Sequence, residues 1–190
     1  MENIRKALKS LSGMSDSSID ELFVHSVLLE LPRKHILTSS FRADKNFYFI
    51  EKGIARSYCV INGKEVTSWF SKEGDIVFST NNFYGKIEGY EYEMVQLLED
   101  SVLYAIPVKE LEALYLTNIE IANWSRIIHQ RAFITNEKRL LSGLYQPAED
   151  RYRELLQTNA ELFRRVNLGH IASYLGISQV TLCHLRNKVR

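Results

Sequence analysis

Apolar positions set the first pattern. Leu8, Leu11, Ile19, Leu22, Phe23 and Leu28 follow a helical period through residues 1–30. The polar run Ser15-Asp16-Ser17-Ser18 breaks that period, and Ser17 or Ser18 is placed to cap a second helix. From Leu31 to Ile106 the pattern changes to short runs rich in Ile, Val, Phe and Tyr. Turn signals separate them at Lys52-Gly53, Asn62-Gly63, Glu73-Gly74-Asp75, Gly85 and Gly89. Short strands at this spacing predict a β-sandwich or β-roll. Phe47 to Phe70 reads as three antiparallel strands, joined first by the Glu51-Lys52-Gly53 turn and then by an Asn62-Gly63 hairpin. Beyond Pro107 the helical period returns, and residues 119–145 contain no Pro and only Gly143, which predicts one long helix. Ile127, Ile134 and Leu141 recur every seven residues, flanked by Trp124, Phe133 and Leu140. That stripe suits either the β-domain or a partner helix. Residues 149–163 carry a further helical pattern.

Composition narrows the class. The chain has 190 residues, 45% hydrophobic and 25% charged, which is ordinary for a globular protein of one domain, or of one domain and an appendage. Its two cysteines, Cys59 and Cys183, exclude a disulfide framework, a four-cysteine zinc site and a four-cysteine iron–sulfur cluster within one chain. A reducing, cytoplasmic compartment fits this usage. The N-terminus lacks the apolar core of a signal peptide, and no 18 apolar residues run together, so the expectation is a soluble protein without a membrane partner. The net charge of +1 is unevenly distributed: Arg164, Arg165, Arg186, Lys188 and Arg190 follow residue 163 with no acid, whereas residues 1–163 hold 19 basic and 23 acidic side chains. A basic end on an acidic body suits a polyanion.

The most specific signal runs from Leu168 to Asn187. Ile171, Leu175, Ile177, Leu182 and Leu185 sit where two short helices crossing steeply must touch. Ala172 supplies the small side chain at the crossing, and Gly176 opens a three-residue turn that needs a positive φ. This is a helix-turn-helix pattern. Ser178 is the expected N-cap of the second helix, whose free amides and dipole can face a phosphate. With that helix in the major groove, Gln179 would pair with adenine, Val180 would touch a thymine methyl and His184 would reach a second base edge. Thr181, Arg186 and Lys188 suit phosphate contacts.

In this order the pieces resemble the Crp/Fnr family of bacterial transcription regulators. The resemblance is carried by Glu30 to Val77, by Val102 to Leu114 and by the helix-turn-helix, with Glu51-Lys52-Gly53 and Glu73-Gly74-Asp75 matching the family's turn glycines. It implies an α+β fold: N-terminal helices with an antiparallel, cupin-like double-stranded β-roll at 1–118, a long dimerisation helix at 119–145, and a helix-turn-helix domain at 146–190. It also implies a homodimer joined through Trp124, Ile127, Ile134 and Leu141, double-stranded DNA as partner, and RNA polymerase as a further one. The family's cyclic-nucleotide pocket has a glutamate and an Arg-Ser pair, where counting in this sequence gives Ser79, and Glu91 with Tyr92. Between Ile87 and Val108 there are five acidic residues and no Lys or Arg, so a cyclic phosphate would meet like charge. Cyclic AMP is therefore not the expected effector; none is identified, and no metal or other cofactor is expected. The family's β-hairpin wing would follow the second helix, and the sequence ends at Arg190 without one.

Two function classes remain open at this point: a sequence-specific DNA-binding regulator, and a ligand-sensing or protein-interaction module with a degenerate DNA-binding domain. Enzymatic activity is not expected, because there is no phosphate-binding Gly-rich loop, no His-Glu-x-x-His and no Gly-x-Ser-x-Gly.

Overall fold

The computed structural model describes residues 1–38, 45–78 and 93–188. Their elements are α1 (Glu2–Ser12), α2 (Asp16–Phe23), β1 (Val27–Leu31), β2 (Ile36–Thr38), β3 (Asn46–Lys52), β4 (Ala55–Ile61), β5 (Lys64–Ser71), β6 (Ile76–Val77), β7 (Met94–Leu97), β8 (Ser101–Pro107), α3 (Val108–Thr117), α4 (Ile119–Tyr145), α5 (Ala148–Thr158), α6 (Leu162–Arg165), α7 (Leu168–Leu175) and α8 (Gln179–Lys188). They divide into two compact units. One comprises Met1–Tyr58 with Phe70–Gln130, the other Cys59–Trp69 with Arg131–Arg190. The long helix is thus shared between the units, and the outer end of the β4–β5 hairpin belongs with the C-terminal helices.

The strands form two four-stranded sheets, in the orders β1-β8-β3-β6 and β2-β7-β4-β5. β8 pairs antiparallel with both β1 and β3, and β7 with both β2 and β4. β3 and β4 follow one another but lie in different sheets, so the Glu51-Lys52-Gly53 turn is a corner between sheets and not the antiparallel connection expected there. Gly53 has φ 113°, and a Cβ at that position would stand 2.1 Å from Ser101 Oγ, so only glycine lets the chain turn so close to β8. The Asn62-Gly63 turn does join sheet neighbours. Both residues have positive φ, 51° and 74°, the requirement of a two-residue type I′ hairpin.

The N-terminal stretch departs from expectation in two respects. Leu28 lies in β1, not in a helix, because Val27–Leu31 is taken up in register by β8. The cap of α2 is Ser15 in place of Ser17 or Ser18: its hydroxyl accepts from the Ser18 N–H at 3.3 Å. Ser15 also donates through its N–H (2.8 Å) and hydroxyl (2.7 Å) to Glu120 at the start of α4. These bonds hold the Glu120 carboxyl below its usual range. Glu51 accepts from the first main-chain N–H groups of α1, at 2.8 Å from Glu2 and 3.2 Å from Ile4, so a β3 side chain satisfies the orphan donors of that helix.

The core of the first unit gathers Ile4, Leu8, Ile19, Leu22, Phe23, Phe47, Phe49, Ile106, Leu111, Ile121 and Trp124. Trp124 is 1% exposed. Its ring stacks on Phe49 at 5.4 Å and meets Phe47 edge-on at 6.0 Å. Its assignment to a dimer contact is therefore corrected: the first turns of α4 close the aromatic core of the roll, and this side chain has no surface left to offer a partner.

The second unit buries Tyr152, Leu155, Leu162, Val166, Ile171, Ala172, Leu175 and Leu182. Tyr152 and Phe163 meet edge to face at 5.5 Å. Ala172 is 2% exposed and Leu182 fully buried, as close crossing of α7 and α8 requires.

Candidate nucleic-acid interface

Helix α7 begins at Asn167, whose side chain accepts from the Gly169 N–H at 2.7 Å. It ends at Gly176 with φ 65° in a Schellman arrangement: Ile177 N–H donates to Ala172 C=O at 3.0 Å, and Gly176 N–H to Ser173 C=O at 3.2 Å. Arginines take the remaining two terminal carbonyls. Arg139 donates to Tyr174 C=O at 3.1 Å, and Arg151 to Leu175 C=O at 3.0 Å. All four C-terminal carbonyls of α7 are thus satisfied, two of them by cations at the negative end of the helix dipole. Burial pushes the Arg139 pKa down, and the neighbouring Tyr174 acts in the opposite sense.

Ser178 opens α8 as its N-cap, its hydroxyl accepting from the Thr181 N–H at 3.0 Å. The Thr181 hydroxyl lies 2.8 Å from the Ser178 hydroxyl, so it is engaged in the cap while facing outward in part. The N–H groups of Gln179 and Val180 have no acceptor in the preceding turn. Gln179, Val180, Cys183, His184 and Asn187 are all exposed and together line a shallow surface hollow. Their spacing puts them on one face of the helix. Val180 is 67% exposed, an apolar side chain held in water at the first turn. The opposite face carries buried Leu182 and half-buried Leu185. The strip is neutral, with its cations at the end of the helix: half-buried Arg186 pairs with no carboxylate among the described residues, and Lys188 bonds Glu149 at 2.5 Å. Glu149 also pairs with Arg153 at 2.7 Å, and its carboxyl is held below its usual range, chiefly by the Lys188 hydrogen bond and then by Arg153.

The structure thus brings Ser178, Gln179, Val180, Thr181 and His184 onto one accessible end and face, whereas Lys188 is tied to α5 by an ion pair that a phosphate would have to displace. Asn187 extends the strip by a further turn; its place eight residues after Gln179 was the sequence signal for it. Of the remaining interface candidates, Ile127 is half-buried, while Ile134 and Leu141 are 48% and 49% exposed. Phe133, Leu140, Leu144 and Tyr145 are 64–81% exposed on the same half of α4. Ser79, Glu91 and Tyr92 lie outside the described residues. Among the described residues no three His, Cys, Asp or Glu side chains converge as a metal site would require, both cysteines are free thiols, and no helix is long and apolar enough to cross a membrane.

No protein-family model and no curated protein matches the sequence. Solved structures match its fold. A putative transcriptional regulator of the Crp/Fnr family from Eubacterium rectale superposes with a TM-score of 0.69 at 12% identity, covering 91% of this chain and 82% of that one. FixK2 from Bradyrhizobium japonicum gives 0.70 at 16% identity, with 86% and 84% covered. The c-di-GMP-responsive global regulator CLP of Xanthomonas campestris gives 0.71 at 14%, with 92% and 91% covered. The fold of this chain is therefore that of the Crp/Fnr regulators.

Proposed function

We propose that the protein is a sequence-specific DNA-binding transcription regulator of the Crp/Fnr type. The observation that carries this reading is α8: a capped helix anchored by Leu182, with a neutral, exposed strip of hydrogen-bonding and apolar side chains along its outer face. Gln179 and His184 supply polar contacts to base edges and Val180 a surface for a thymine methyl. Thr181, Arg186 and Lys188 contact phosphates, the last after exchanging its carboxylate partner. Exposed Ile134 and Leu141, with Phe133, Leu140 and Leu144 beside them, support a homodimer through the second half of α4, and two α8 helices would then read the halves of a pseudo-palindrome. Control by cyclic AMP is not part of this reading, because the stretch from Ile87 to Val108 offers a cyclic phosphate five acidic residues and no cation.

The test is binding to genomic DNA fragments across a range of salt concentration. Wild type should prefer particular fragments; Gln179→Ala should lose the preference, and Arg186→Ala should weaken binding to all fragments and reduce the salt slope by about one. If neither substitution alters binding, α8 is not the reading element.

A further inference from the structure

β5 is the outer strand of its sheet, and an outer strand carries main-chain N–H and C=O groups that need partners. At the end of the hairpin α7 supplies them. The Ser173 hydroxyl accepts from the Thr67 N–H at 2.9 Å and donates to Glu65 C=O at 2.7 Å, bridging two successive groups of the strand edge. The buried Thr67 hydroxyl donates in turn to His170 C=O at 3.3 Å.

Arg139 closes the arrangement from α4. Its guanidinium donates to Thr67 C=O at 2.7 Å, to Ser68 C=O, and to Tyr174 C=O at 3.1 Å, and lies over the Tyr174 ring at 4.4 Å. A partly buried cation held by three carbonyls and one ring face depends on several charge-assisted contacts together, so Arg139 ties the hairpin end and the end of α7 to one another. Tyr174 stands two residues before Gly176, which sets the direction in which the chain enters α8.

We propose that Arg139, with Ser173, is a positioning residue for DNA recognition: the pair seats α7 on the end of the β4–β5 hairpin and thereby fixes the Gly176 turn and the aim of α8. This rests on the DNA-binding reading above. The hairpin end is then part of the recognition apparatus, joined to α7 through the Arg139 and Ser173 side chains and through the Thr67 hydroxyl bond to His170 C=O.

The experiment compares wild type with Arg139→Gln, Arg139→Lys, Ser173→Ala and the Arg139→Gln/Ser173→Ala double variant, reading amide hydrogen exchange and DNA affinity together. Arg139→Gln and Ser173→Ala should each speed exchange at Thr67 and at Gly176–Ile177 and weaken binding to a preferred fragment about five- to tenfold. The double variant should be little worse than the poorer single one, because both act through one seat. Arg139→Lys should recover part of the affinity, since an ammonium reaches fewer of the carbonyls. Ser173→Ala stands in if Arg139→Gln fails to fold. Unchanged exchange at Gly176–Ile177 in the variants overturns the proposal, as does faster exchange with undiminished DNA affinity. If wild type itself shows no preference among DNA fragments, the regulator reading falls, and the exchange data alone decide whether the pair seats the turn.

Discussion

Replacing Trp124 with alanine separates two roles that its position on α4 allows. The side chain is 1% exposed, stacked on Phe49 and edge-on to Phe47. Truncating a buried Phe or Trp to Ala costs about 3–5 kcal/mol, the upper part where the surroundings cannot collapse into the void. Here the walls are two aromatic rings on a strand paired to β8, which cannot follow the lost indole. Against a total stability of about 5–15 kcal/mol this is a large fraction. With an m-value of about 2–3 kcal/mol/M the urea midpoint of the first unit should fall by about 1–2.5 M. Far-UV circular dichroism follows the transition, since removing Trp124 leaves Trp69 as the remaining indole. Sedimentation equilibrium on the folded variant should give the wild-type oligomeric state, and Trp124→Phe should fall between. A Trp124→Ala protein with an unshifted midpoint and a weakened dimer would refute the reasoning and return the side chain to the interface.

Leu141→Asp, on the exposed half of α4, should dissociate the proposed homodimer in sedimentation and lower the urea midpoint only by what dimerisation adds, because Leu141 contributes little to its own chain's core. Ser178→Ala removes the N-cap acceptor of α8 and should lower stability by about 1 kcal/mol in chemical denaturation, with weakened DNA binding. Glu149 titrates below its ordinary value because Lys188 and Arg153 bond its charged form. Its stabilising contribution is thus complete above the unfolded carboxyl value of about 4.3 and is lost as pH falls through the depressed folded one. A carboxyl NMR titration should place the Glu149 midpoint below that value, and Glu149→Gln, which frees Lys188, should steepen the salt dependence of DNA binding.

What the sequence disclosed was largely what local chemistry decides. Asn62-Gly63 demanded a turn with two positive φ angles, Gly176 a helix end and Ser178 a helix start, and each is met within a few residues of chain. The bounds of α4 were equally legible, since a 27-residue stretch with one glycine and no proline has little else to become. The Gly53 corner was not, because the same turn signal serves a hairpin within a sheet and a crossing between sheets; the close approach of Ser101, 48 positions away, decides. The helical period of α4 marked its apolar residues without telling which of them the roll would claim, so Trp124 and Ile134 looked alike. The bonds from Arg139 and Ser173 to the hairpin were invisible for a different reason: their partners are almost all main-chain groups, which leave no trace in side-chain identity. Likewise the Lys188–Glu149 pair joins residues 39 apart, a separation no local pattern marks.

Cys183 provides the most direct check that α8 is the surface that meets DNA. It is exposed in the middle of the base-reading strip, whereas Cys59, half-buried on β4, serves as an internal control in the same chain. The rate of thiol alkylation should be measured with and without a saturating, preferred DNA fragment, and again after high salt releases the complex. DNA should protect Cys183 strongly and leave Cys59 unchanged, and salt should restore the reactivity of Cys183. A Cys183 that reacts at the same rate in the DNA complex as in the free protein would contradict this role of α8.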